Sequence, residues 1–168
     1  MNLFHPLIAL VFLARLVELI YARQNTRRLL SQGAVEIGRA HYPLIVALHS
    51  AWIMAMLIFI PAAGPPQWIW LGVFMLLQVA RIWVLLSLGR FWTTRIISLP
   101  GAPLVRRGPY RFLGHPNYVV VELEIVTFPL AFNAWAIALI FGIANAALLA
   151  WRIRIENNAL APRRSIAS

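Results

Sequence analysis

The chain has 168 residues, of which 61% are hydrophobic and only 12% charged. A soluble globular domain carries about 25% charged residues, so the composition excludes an ordinary soluble core and points to a single polytopic membrane domain over residues 1–168. The net charge is +10, every basic residue is arginine and there is no cysteine, which excludes disulfides, thiolate nucleophiles and cysteine-based metal sites.

A strongly basic chain invites a nucleic-acid reading. The arginines, however, lie in short stretches between apolar runs. That distribution marks topology and contact with anionic membrane lipids, and no nucleic-acid partner is expected. The N-terminus has neither a basic n-region nor a small-residue cleavage site. It reads as a retained first membrane helix and not as a signal peptide.

The first span is expected over 3–22. Arg15 and Glu18 sit three apart within it, on one helical face. Charges inside a span pair with one another and face the bundle interior, so this reads as a structural ion pair. Residues 23–41 are polar and read as a surface helix followed by a turn at Gly33 or Gly38. The second span, 42–60, contains His49, read as hydrogen-bonded structure. Pro61 to Pro66 form a tight uncharged turn. The third span, 67–88, opens on Trp68 and Trp70, an interfacial aromatic belt. Gln78 and Arg81 lie inside it; Arg81 is expected to face a polar interior and is a candidate for contact with substrate.

Residues 89–117 form a long loop, punctuated by proline, glycine and arginine, whose first part is expected at the membrane interface. The apolar stretch that follows is too long for one ordinary span. Pro129 and Asn133 mark a break, giving a helical hairpin over 118–132 and 134–151 whose first helix is short. Glu122 and Glu124 are two apart, so at most one faces the loop. Residues 152–168 leave the membrane as a polar helix and a tail.

The expected fold is therefore all-α and polytopic, with about five transmembrane helices, a cofactor-binding loop and a C-terminal helix. Thirteen of the fifteen arginines fall in the stretch after the first span, in the long loop and in the C-terminal segment. The positive-inside rule then places the N-terminus outside and puts loop and C-terminus together on the cytoplasmic side. No internal repeat is evident, which weighs against a transporter built from two similar halves.

Chemistry-bearing residues concentrate in the loop and the C-terminal helix. His115-Pro116 ends the loop and opens a helix, whose free backbone N–H groups can hold an anion. Tyr110 offers a ring and a hydroxyl. Arg152 and Glu156 are four apart and share a helical face, a pair able to recognise a zwitterion or an amphiphile's acidic head. A solvated ion pair with snorkelling arginines is the other reading of the same spacing.

GPYRFLGHPNY, followed by RIRIENNAL, resembles the isoprenylcysteine carboxyl methyltransferase family of integral membrane enzymes. The similar elements are Leu104-Val105, Gly108-Pro109-Tyr110, His115-Pro116-Asn117-Tyr118, and Arg152 with Glu156. The earlier stretches RLVELIYARQN, GAVEIGRAHYP and LGRFWTTRIISLPGA resemble a bacterial subgroup whose members O-methylate long-chain alkylpyrones and often accompany type III polyketide synthases. The resemblance implies an S-adenosyl-L-methionine cofactor held by Ala102, Pro103, Leu104, Val105, Tyr110, His115, Pro116, Asn117, Tyr118 and Glu156. It implies Arg152 as the catalytic residue that handles the acceptor's acidic group, a lipophilic small-molecule acceptor, and residence in the bacterial inner membrane. A type III polyketide synthase becomes a possible functional partner. Gly114 stands where the family usually has arginine, and Asn157 where many members have a second glutamate.

In-line methyl transfer depends on alignment and exclusion of water. An ionised hydroxypyrone or carboxylate needs no strong base; a phenol would, with His115 or Glu122 as candidates. No metal is expected, since the histidines at 5, 41, 49 and 115 lack ligand-like spacing. Other readings of the same residues are an isoprenylcysteine-type carboxyl methyltransferase, a phospholipid N-methyltransferase, a sterol-type reductase, and a non-catalytic scaffold or lipid-binding partner of a synthase.

Overall fold

The computed structural model describes residues 3–61 and 64–164. Among them the helices are α1 (Phe4–Ser31), α2 (His41–Phe59), α3 (Trp68–Leu88), α4 (Pro116–Leu130) and α5 (Trp135–Arg164). Two short strands, β1 (Val35–Ile37) and β2 (Ile96–Ser98), and two single 3₁₀ turns, Gly89–Phe91 and Gly108–Arg111, complete the described elements. Ala62 and Ala63 of the expected turn, and the tail beyond Arg164, lie outside the described residues.

The protein is an all-α integral membrane protein. α1, α2, α3 with its 3₁₀ extension, and α5 are long and apolar enough to cross a membrane. α4 has 15 residues, about 22 Å at ~1.5 Å per residue, and falls short of the ~30 Å hydrocarbon layer. α1 and α5 overrun that thickness with 28 and 30 residues. The overruns carry the polar stretches that the sequence placed outside the spans. α1 thus continues past residue 22 without a break, and its buried Asn25 and Leu29 explain why. Each packs its extension against neighbouring backbone or side chains, so a polar stretch with weak propensity stays helical.

Two apolar clusters sit at opposite ends. Phe4, Ile8, Trp52, Met56, Phe74 and Phe128 belong to one, with the Phe74 and Phe128 rings 4.8 Å apart. Ala22, Val84, Trp92 and Val120 form the other. At the first end, Gln67 N–H donates to Ala131 O at 2.8 Å, pinning the α4–α5 turn to the start of α3. In that turn Asn133 takes a left-handed φ of 59°.

A charge-balanced cluster ties α1, α3 and α4 together. Arg15 contacts Glu18 at 2.9 Å and Glu124 at 3.2 Å, while Arg81 contacts Glu18 at 2.6 Å and Glu124 at 2.8 Å. Gln78 accepts from Arg15 at 3.0 Å and donates to Glu124 at 2.8 Å. Buried charges persist only when paired and hydrogen-bonded; here two guanidiniums meet two carboxylates.

β1 and β2 pair antiparallel, with Val35 opposite Ser98, Glu36 opposite Ile97 and Ile37 opposite Ile96. This ribbon, absent from the sequence expectation, joins the α1–α2 connection to the long loop. Gly33 and Gly38, at φ 89° and 63°, turn the chain into and out of β1.

Candidate functional site

The loop, the β-ribbon and the overrun of α5 gather at one end of the bundle around a cavity of about 420 Å³. That lies within the ~300–1,000 Å³ range of small-molecule and cofactor sites. The loop is clamped in place from α1: Asn25 Nδ2 donates to Gly89 O at 3.2 Å and to Trp92 O at 3.0 Å. From the ribbon side, Arg95 meets Glu36 at 3.0 Å and stacks over the Tyr42 ring at 4.8 Å.

Pro116 occupies the first turn of α4 and His115 caps it, so the helix start opens on the cavity with Asn117 and Tyr118. One turn apart on α5, Arg152 and Glu156 face the same space. Tyr118 joins them. Its hydroxyl accepts from Arg152 Nε at 2.7 Å and donates to Glu156 Oε2. Arg152 is 6% exposed; its Nη2 donates to Thr94 O at 2.9 Å, and its guanidinium lies 5.4 Å from the Tyr118 ring centroid. His115 stacks on Tyr118 with centroids 5.3 Å apart, and its Nε2 lies 3.1 Å from Asn157 Oδ1. Asn157, one of the two departures noted in the sequence, therefore holds the histidine ring. Burial pushes the Tyr110 hydroxyl well above its usual range, and the Glu156 carboxylate adds to the shift, so Tyr110 stays a neutral hydrogen-bond donor.

Of the residues singled out in the sequence, Pro103, Leu104, Val105, Tyr110, His115, Asn117, Tyr118, Arg152 and Glu156 line the cavity. Ala102 and Pro116 belong to the same segments but not to its lining. Arg81 is not brought to the cavity: both its faces are spent on Glu18 and Glu124 within the bundle. Glu122 is likewise elsewhere, accepting from Asn145 at 2.7 Å beside a separate groove between α4 and α5. Trp92, Ile96 and Ile97 belong to the part of the loop expected at the membrane interface and were not named as site residues, yet with Thr93 they form a wall of the cavity. The signal was available in the aromatic and β-branched run 91–97, which is out of keeping with an exposed loop.

Among the described residues, two buried polar atoms of wall residues find no hydrogen-bond partner. Trp92 Nε1 is an unused donor and Asn117 Oδ1 an unused acceptor. Unpaired buried groups cost about 1–3 kcal/mol each, so their coincidence in one cavity fits a ligand that offers both an acceptor and a donor. An amino-acid-bearing nucleoside such as S-adenosylmethionine offers both, and Glu156 beside them suits its ammonium group.

Fold and site thus define a multi-helix membrane protein with a polar, ligand-ready cavity at one end of its bundle. Residues 70–162 match the Isoprenylcysteine carboxyl methyltransferase (ICMT) family, and the chain belongs to that family of membrane methyltransferases. It is 41% identical over 163 residues to "Uncharacterized protein YpbQ" of Bacillus subtilis (strain 168), covering 94% of this chain and 96% of that protein. An "Uncharacterized protein" of Haemophilus influenzae is 24% identical over 157 residues, covering 90% and 91%. No solved structure matches.

Proposed function

We propose that this chain is an S-adenosylmethionine-dependent O-methyltransferase acting on a lipophilic, acidic acceptor, an alkylpyrone-like enol or a carboxylate. The observation that carries the reading is the Arg152–Tyr118–Glu156 relay, which sets an anion-binding group and a cation-binding group on one cavity wall. When bound, the cofactor supplies an electrophilic methyl group on a sulfonium.

The chain's own residues bind, orient and exclude water. Glu156 holds an ammonium group, and Asn117 Oδ1 and Trp92 Nε1 take a donor and an acceptor of the same ligand. Arg152 spends Nε and Nη2 within the protein and keeps Nη1 for an acceptor anion. Leu88, Phe91, Ile96 and Leu160 supply apolar wall for an alkyl chain. A guanidinium at the acceptor position disfavours an amine substrate, which argues for O-methylation over phospholipid N-methylation. With an already ionised acceptor, positioning does most of the work. The arginine distribution supports a cytoplasmic mouth to the cavity, and a type III polyketide synthase is the proposed source of the acceptor.

The test is saturable binding of S-adenosylmethionine to detergent-solubilised protein, with Glu156→Gln as control. Binding that falls by about 10–100-fold in the variant is expected, because a charge-assisted hydrogen bond contributes roughly 1.5–3 kcal/mol. No binding to folded wild-type protein would sink the reading in favour of a non-catalytic lipid-binding partner.

A further inference from the structure

Between the 3₁₀ turn Gly108–Arg111 and the start of α4, two large apolar side chains stand in the open: Phe112 is 77% exposed and Leu113 49% exposed. Arg106, Arg107 and Arg111 flank them, all exposed. In a loop projecting into water this would be a costly patch. The geometry sets it beside the last turns of α3.

Two independent observations fix its level along the bundle. First, a Cβ on Gly108 would collide with Ser87 Oγ and lie 3.1 Å from Trp83 Nε1, and Arg107 Nε donates to Ser87 O at 2.8 Å. The 3₁₀ turn is therefore folded back alongside the last turns of α3 and does not extend beyond its end. Trp83 and Leu86, 50% and 72% exposed on those turns, present an apolar surface at the same level. Second, α3 and α4 are pinned level at their far end by Gln67 N–H and Ala131 O. α3 has 21 residues and α4 has 15. α4 thus stops about 9 Å short of the end of α3, at ~1.5 Å per residue. Phe112 and Leu113 sit immediately before that short end.

We infer that Arg106–Leu113 is a lipid-binding anchor, in which Phe112 and Leu113 enter the acyl chains of the adjoining leaflet and Arg106 and Arg111 take headgroup phosphates of anionic phospholipid. Aromatic and aliphatic side chains at this depth are stabilised by the acyl layer, and guanidiniums at its rim pair with phosphate. The next residue, Gly114, lines the cavity, as does Arg106. The anchor is one edge of the candidate site, and the leaflet helps to hold that edge. None of this depends on the methyltransferase reading.

The chain has no cysteine, so a nitroxide on Phe112→Cys reports a single position. The full-length protein is reconstituted into bilayers of phosphatidylcholine with phosphatidylglycerol. Leu76→Cys, at a 71% exposed position of α3, is the lipid reference, and Ser31→Cys, exposed at the end of α1, is the water reference. The expected result is a Phe112 label that collides with oxygen in preference to a water-soluble nickel chelate, as the Leu76 label does. A label that behaves like Ser31 overturns the anchor. Replacing phosphatidylglycerol by phosphatidylcholine, or introducing Arg106→Gln with Arg111→Gln, is expected to move the label toward water. An unchanged depth in both would overturn the phosphate contact. Phe112 is 77% exposed in the protein itself, so its substitution is compatible with the fold; an unaltered spectrum of the Leu76 label in a Phe112→Ser background verifies it.

Discussion

Tyr118→Phe removes one oxygen and nothing else, and the structure says what that oxygen does. It accepts from Arg152 Nε at 2.7 Å and donates to Glu156. Arg152 is 6% exposed and would keep one fixed partner, Thr94 O at 2.9 Å. Leaving a buried charged donor short of a partner costs about 1–3 kcal/mol. Glu156 is 23% exposed at its side chain and recovers part of its loss from water in the cavity. The expected destabilisation is therefore about 1.5–3 kcal/mol, seen as a lower Tm in detergent. For donor binding, a mobile Glu156 should cost about tenfold, or ~1.4 kcal/mol. The decisive measurement is a double-mutant cycle by calorimetry with Tyr118→Phe and Glu156→Gln. If Tyr118 acts on the donor by positioning Glu156, the double variant binds no more weakly than Glu156→Gln alone, and the coupling equals the whole single effect. Additive losses would refute the relay and make Tyr118 an independent contact.

Arg81→Gln should unfold more readily by about 3–5 kcal/mol in mixed micelles, the cost of breaking a buried pair from one side. Arg81→Gln combined with Glu124→Gln should regain most of that by restoring charge balance; a stable single variant would contradict the network. Gly114→Arg should fold with stability within about 0.5 kcal/mol of the parent, because nothing lies within 4 Å of the position of a Cβ there. A large drop in Tm would mean the loop sits tighter than the structure has it.

The spans were legible because twenty-residue apolar runs have few other uses. The limits of legibility show at three places. Residues 23–31 carry a polar pattern whose helicity comes from a buried asparagine meeting two carbonyls more than sixty positions away. β1 and β2 have three residues each, too few for an alternation to register. Arg81 announces a polar partner, but the spacing of Glu122 and Glu124 does not say which carboxylate turns inward; tertiary packing selects Glu124 for the cluster and leaves Glu122 to Asn145. At the site, the four-residue spacing of Arg152 and Glu156 was enough to place both on one wall. That a tyrosine from another helix stands between them was not, because nothing local records a contact across 34 and 38 positions.

All the residues lining the cavity fall within the stretch 70–162 that matches the family. Among the described residues, the first part of the chain contributes none, yet it holds the site in three ways. Asn25 fixes the carbonyls at the start of the loop. Glu36 fixes Arg95, and Tyr42 receives both the Arg95 guanidinium and, at 3.5 Å, the Thr94 hydroxyl. Thr94 O in turn is the backbone partner of Arg152. The N-terminal elements therefore act on the cavity through the loop stretch 89–95, at one remove from any ligand. A substitution at Glu36 should accordingly loosen Arg152 while leaving the Tyr118–Glu156 contact in place. Its signature is a weakened acceptor with unchanged donor affinity, whereas changes at Glu156 act on the donor first.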